Sequence, residues 1–197
     1  MNSELSKLAN LVTETVKPVF GGADVQKVQQ KPDGSLVSAI DLLLQRRLID
    51  SLRTAWPSVP VLGEEMSVEE QLRIADTGDF FVVDPLDGTT NFINGIPFYA
   101  VSLALVLEGR TRMAVTFDPS RDECFAAESG GGAWLGNERL RVASATPKPL
   151  AETVAVVDGK RLPEALACAI HRLHPFRSMR NFGSVALEWA WLAAGRI

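Results

Sequence analysis

FFVVDPLDGTTNFINGIPF, residues 80–98, is the stretch that decides how this chain is read. The apolar run Phe80–Val83 predicts a strand ending at Asp84, where Pro85 turns the backbone. Asp87 follows three residues after Asp84, and Gly88-Thr89-Thr90 then offers backbone N–H groups and hydroxyls at a helix N-terminus or tight turn. Two carboxylates fixed so closely repel each other unless positive charge lies between them. Hard oxygen ligands of this kind suit Mg²⁺ or Ca²⁺, and Mg²⁺ commonly combines a few carboxylates with substrate phosphate. The adjoining N–H groups are placed to hold that phosphate. Upstream, Leu62-Gly63-Glu64-Glu65 follows a short strand and brings a third carboxylate to the same place. Asp, Pro and Gly are all turn formers, so Asp87-Gly88 alone reads as a solvated turn. The whole string with Glu64-Glu65 upstream reverses that reading.

Outward from this stretch, the N-terminal side is helical in pattern. Leu5, Leu8, Val12, Val16 and Val19 recur at steps of three and four, with Ser3 as N-cap and Gly21-Gly22 as the stop. A polar stretch from Asp24 to Ser35 carries a turn signal, and Ile40, Leu44, Leu48 and Leu52 mark a second amphipathic helix ending before Trp56-Pro57. Val59–Leu62 is a short strand, and the acidic patch after it, with Glu69-Glu70 as a solvated face, is a helix or loop. Beyond the signature, Val101–Leu107, Arg112–Phe117 and Glu123–Ala127 read as an antiparallel meander. Gly130-Gly131-Gly132 is a break, and Leu135-Gly136-Asn137 another turn. After Pro147 and Pro149 the order becomes strand (Thr153–Val157), helix (Pro163–Leu173), strand (Pro175–Met179), helix (Gly183–Ala194). Strand–helix alternation predicts a separate α/β layer, so two domains are expected, 1–146 and 147–197.

With 197 residues, 46% hydrophobic and 22% charged, the chain is long and apolar enough for a real core. A net charge of −4 argues against binding to nucleic acid by phosphate neutralisation. Cys124 and Cys168 match no disulfide framework or metal spacing and read as small core hydrophobes. No apolar run suits a signal peptide or a membrane span, which predicts a cytoplasmic protein. His171 and His174 match no metal spacing and read as surface or capping residues, and Trp189 and Trp191 as packing or dimer-surface residues.

Asp84-Pro85-Leu86-Asp87-Gly88-Thr89-Thr90-Asn91-Phe92 resembles the signature of the inositol monophosphatase family, metal-dependent and lithium-sensitive phosphomonoesterases. Gly63-Glu64-Glu65 is similar to the family's acidic motif, and Leu36-Val37-Ser38-Ala39-Ile40-Asp41 to the start of its second helix. Gly183-Ser184-Val185-Ala186-Leu187, with Ala193-Ala194-Gly195-Arg196, resembles the helix lining its substrate pocket. Thr90-Asn91 after Gly88-Thr89 looks most like the inositol monophosphatase and SuhB-type branch. The resemblance implies a layered α/β/α/β/α sandwich and a Mg²⁺-dependent phosphatase acting on inositol monophosphate or a related small sugar phosphate. It also implies a homodimer. The rival it implies is a non-catalytic SuhB-like interaction protein with a transcription-machinery partner and a partial metal site.

Carried over residue by residue, the resemblance implies that Glu64, Asp84 and the carbonyl of Leu86 hold a first Mg²⁺. Asp84 would bridge to a second ion shared with Asp87. Thr89, bonded to Asp41, would orient and deprotonate water together with Glu64. Gly88 and Thr89 N–H groups would hold phosphate, Gly183 and Ser184 would face the alcohol, and Glu64, Leu86 and Asp87 would also meet substrate. Ser38 stands where the family usually has Thr and can keep the hydroxyl, whereas Gln45 stands where it has Glu and loses a charge, which weakens the case for a third ion. The family's pattern continues through a Trp-Asp-x-Ala motif that this sequence lacks, so a C-terminally incomplete sandwich that turns over poorly by itself is expected.

Overall fold

The computed structural model describes residues 1–20, 28–30, 36–141 and 148–197. The Gly21-Gly22 helix stop, most of the polar stretch after it and the domain boundary at 146/147 lie outside the described residues.

Helix α1 (Ser3–Phe20) buries Leu5, Leu8, Val12, Val16 and Val19, the stripe its periodicity announces. Its cap differs from expectation. Asn2 Oδ1 accepts the Leu5 N–H at 2.8 Å, so Asn2 caps the helix and Ser3 is its first residue. Short strands β1 (Val28–Gln30) and β2 (Leu36–Ser38) pair antiparallel and lead into α2 (Ala39–Ala55). Then follow β3 (Val61–Gly63), α3 (Val68–Ala75), β4 (Phe80–Asp87) and the one-turn helix α4 (Thr89–Ile93). Glu70 closes a capping box with Ser67 at the start of α3, which gives half of the acidic pair a local task.

The meander appears as β5 (Ala100–Leu107), β6 (Arg110–Asp118) and β7 (Glu123–Glu128). It continues through β8 (Gly132–Leu135) and β9 (Glu138–Leu140), where the sequence suggests only turns. Strands β3 to β9 form one seven-stranded sheet in chain order, parallel only between β3 and β4. One face carries α1 and α2, and Phe81, Val83, Leu103, Val115 and Phe117 complete that core. The other face is met by α6 (Val185–Ala193), whose Leu187 packs with Phe98, Ala100 and Phe125.

Between β9 and α6 in the sequence come β10 (Val154–Val156), α5 (Glu164–Leu173) and β11 (Ser178–Arg180), with β10 and β11 parallel. The mixed α/β architecture matches the layered sandwich expected. Cys124 is half-buried against the core, but Cys168 is exposed on α5, a helix that fully buries none of its residues. His174 ends α5 in the left-handed conformation, a capping position. Among the described residues no helix is long and apolar enough to cross a membrane.

Candidate metal and phosphate site

Two backbone devices assemble the acidic residues. The parallel pairing of β3 with β4 sets Gly63 beside Val83, and the Glu64 N–H continues the ladder to the Val83 carbonyl at 3.1 Å. Glu64 and Asp84 therefore leave adjacent strand ends together. The second device is a bulge. Asp84 pairs with Ser102 and Asp87 with Ala100, so three steps on β4 oppose two on β5. In a regular strand, positions three apart point to opposite faces; the extra residue returns Asp87 to the face of Asp84. Pro85, which has no N–H to offer the ladder, stands inside this bulge.

Burial, first, and then the charges of Glu64 and Asp87 push the Asp84 carboxyl up to about 8. Its remaining partner is the Leu86 N–H, at 3.1 Å from Oδ1. Burial also raises Asp87, against the pull of two hydrogen bonds: Oδ2 accepts from Ser184 Oγ at 2.8 Å and from the Ala186 N–H at 2.6 Å. The charge of Arg161 adds a smaller lowering effect. Among the described residues no group of three or more His, Cys, Asp or Glu forms a ready-made ligand cage. The physical reason is visible in the partners: Asp84 turns to Glu64, whereas Asp87 is drawn to the N-terminus of α6.

Behind the acidic face, Asp41 is 2% exposed. Its Oδ2 accepts from the Ser38 N–H at 2.8 Å and from Ser38 Oγ, and its Oδ1 accepts from Thr89 Oγ1 at 3.0 Å. Thr89 Oγ1 also lies 3.0 Å from the Leu86 carbonyl. A hydroxyl has one proton to donate, so both acceptors share it and the Thr89 oxygen keeps a lone pair for a third partner. Ser38 thus retains the hydroxyl function expected of it.

Gly88 occupies φ +94°, and a Cβ there would come within 3.2 Å of the Gly183 and Phe98 carbonyl oxygens and of Ser184 Cβ. Only glycine lets the signature and residues 183–184 touch. Gly183 is exposed, whereas Ser184 is fully buried with its hydroxyl given to Asp87. The Ser184 side chain therefore supports a carboxylate rather than facing outward.

Three residues have positioning roles that the sequence did not reveal. Asn91 is nearly buried and its side-chain amide donates to the Phe98 carbonyl at 2.7 Å and the Phe182 carbonyl at 2.6 Å, tying α4 to a segment 91 residues away. Gln45 Oε1 accepts the Glu65 N–H at 2.8 Å, and a Cβ on Gly63 would fall on its amide, so Gln45 braces the acidic turn. Gln71 Nε2 donates to the Glu64 carbonyl at 2.9 Å and the Gly63 carbonyl at 3.2 Å. Asn91 was quoted only as part of a motif; nothing in the local sequence reveals its distant partner.

The family model of the inositol monophosphatases matches residues 2–197. The chain belongs to the inositol monophosphatase family. It is 37% identical over 182 residues to an inositol-1-monophosphatase of Rhizobium meliloti, covering 90% of this chain and 66% of that protein. To the Nus factor SuhB of Escherichia coli K12 it is 34% identical over 205 residues, covering 97% of this chain and 70% of that one. The chain thus spans about two thirds of the length of these curated relatives. Among solved structures, the extragenic suppressor protein suhB of Bartonella henselae superposes with a TM-score of 0.81 at 30% identity, covering 98% of this chain and 76% of that one. Inositol monophosphatase membership and this shared fold fit the donor set at the end of β4. Carboxylates and a backbone carbonyl are hard oxygen ligands, and a divalent cation would relieve the crowding that holds a proton on Asp84.

Proposed function

We propose that this chain carries the metal and phosphate site of a Mg²⁺-dependent phosphomonoesterase for inositol monophosphate or a related small sugar phosphate. One observation supports the reading above all: a bulge returns Asp87 to the face of Asp84, whose carboxyl feels the charges of both Glu64 and Asp87, and the same turn carries Thr89 to its hydrogen bond with Asp41. Glu64, Asp84, Asp87 and the Leu86 carbonyl would hold two Mg²⁺ ions. When bound, the ions supply positive charge to the phosphate and make a nearby water more acidic.

The protein's own groups do the rest. Thr89, donating its proton toward Asp41, accepts a hydrogen bond from water and aims it at phosphorus. As the water passes its proton to the Thr89 oxygen, Thr89 passes its own to Asp41, which Ser38 holds in place. Gly88 and Thr89 N–H groups hold phosphate oxygens, and Gly183 borders the alcohol. In the same proposal the chain forms a homodimer, is cytoplasmic, and comprises units 1–146 and 147–197.

Thr89→Ala tests it. Loss of a positioned proton acceptor typically costs about 10²–10⁴-fold in rate, so kcat should fall by ~10²-fold with Mg²⁺ affinity unchanged, and Thr89→Ser should restore most of it. An unaltered kcat removes Thr89 from the mechanism.

A second reading, binding to the transcription machinery, draws on the Nus factor name of the Escherichia coli relative and on Trp189, 67% exposed on α6. Trp189→Asp separates the two: it should abolish such binding while leaving phosphate-ester turnover in place.

A further inference from the structure

Helix α6 begins immediately after Gly183-Ser184, and its first turn grips Asp87 through Ser184 Oγ and the Ala186 N–H. What holds that turn in position is a side chain of the same first turn. Glu188 Oε1 reaches back to accept the Phe182 N–H at 2.7 Å and the Gly183 N–H at 3.2 Å. It is half-buried, and it stands on the side of this segment opposite Asn91, which pulls on the Phe182 carbonyl. The Phe182 peptide group and its neighbour are therefore clamped from two directions. Phe182 also stacks on Phe98 with ring centroids 4.8 Å apart, so the clamp has an apolar backing.

We propose that Glu188 is a positioning residue for the Asp87 half of the metal site: by fixing Phe182 and Gly183 it sets where Ser184 and Ala186 hold the Asp87 carboxylate. This rests on the metal reading above. The chemistry has three links. A carboxylate that ligates a metal presents one oxygen to the ion and needs its other oxygen oriented by hydrogen-bond donors. Both recorded donors to Asp87 Oδ2 come from residues 184–186. Gly183, at φ +82° and exposed, has no side chain to hold that segment, so its placement falls to its backbone contacts. Glu188 is also at the level of the first helical turn, where a carboxylate accepting backbone N–H groups is favoured by the helix dipole.

The test is Mg²⁺ binding followed calorimetrically without substrate, in the unaltered chain and in Asp87→Asn, Glu188→Ala and Glu188→Asp variants. Asp87→Asn defines the binding step that belongs to Asp87. Glu188→Ala should weaken that step by about 10-fold, the lower end for loss of an outer-shell partner. It should leave the remaining step unchanged. Glu188→Asp, which keeps the charge but shortens the reach, should weaken the same step and serves as the reading if the alanine variant does not fold. In a cycle with Ser184→Ala the losses should be less than additive, because both act through one carboxylate. Mg²⁺ affinity that is unchanged in both Glu188 variants, or strictly additive losses, overturns the inference alone. An unaltered chain that takes up no Mg²⁺ overturns the metal reading, and this inference with it.

Discussion

Asp84 carries the conflict between stability and function at a single carboxyl. Its proton is retained to about pH 8 in the folded chain, against an ordinary value of 3.8, because burial and the charges of Glu64 and Asp87 oppose ionisation. In the unfolded chain it ionises near the ordinary value. Between those two pH values the native state binds one proton more than the unfolded state, so stability must fall as pH rises. The loss is complete above about pH 8. In chelator, the urea midpoint should therefore drop between pH 5 and pH 8, and Asp84→Asn, which has nothing to ionise, should flatten that slope and stabilise the metal-free chain at pH 8. Saturating Mg²⁺ should raise the midpoint of the unaltered chain but not of the variant. A slope that survives in Asp84→Asn assigns the pH dependence to other groups.

At the level of elements, the junction of β4 with α4 does what neither could do alone. The bulge at Pro85-Leu86 brings Asp84 and Asp87 to one face, and Gly88 then turns the chain sharply enough for Thr89 to reach back to Asp41 on α2. Gly88→Ala should be costly for two reasons, the left-handed φ and the three contacts at 3.2 Å. Strain of this type is worth about 1–3 kcal/mol, and the crowding adds to it. A loss of about 2–4 kcal/mol is expected in urea unfolding. Gly95, also at positive φ but with open space around it, should lose only the conformational part on substitution by alanine, about 1 kcal/mol. Equal costs at the two positions would show that the approach of residues 183–184 to the signature contributes nothing.

Across the molecule, α6 joins the sheet to the site. Its N-terminus holds Asp87, and just past its C-terminus Arg196 donates to both oxygens of Glu123 on β7, at 2.6 and 2.7 Å. The guanidinium also lies over the rings of Trp191 and Phe125, 5.5 and 5.6 Å from their centroids. The Arg196 hydrogen bonds hold Glu123 below the ordinary carboxylate range, so this contribution is present at neutral pH and is lost as pH falls through that lowered value. The pair is about a quarter to a third exposed, which limits its worth. Arg196→Ala should cost about 1–2 kcal/mol, and Arg196→Lys should recover little because an ammonium cannot make the fork. Full recovery by lysine would reduce the contact to simple charge attraction.

Much of this was legible in local pattern. The period of Leu5, Leu8, Val12 and Val16 foretells the buried face of α1, and short segments separated by turn residues foretell β5 to β7. The string from Asp84 to Phe92 pointed to oxygen-ligand and phosphate chemistry, because Asp, Gly and Thr at that spacing restrict what the backbone can do. Strands β8 and β9 were missed since their short, glycine-bounded segments carry too few residues to display a period. What only the tertiary structure decided is which distant groups face one another: Asn91 with Phe182, Gln45 with Glu65, Ser184 with Asp87. Hydrogen bonds between residues tens of positions apart leave no periodic trace in a sequence. They depend on the close approach of whole layers, and that approach is set by burial of apolar faces rather than by the polar residues that come to meet.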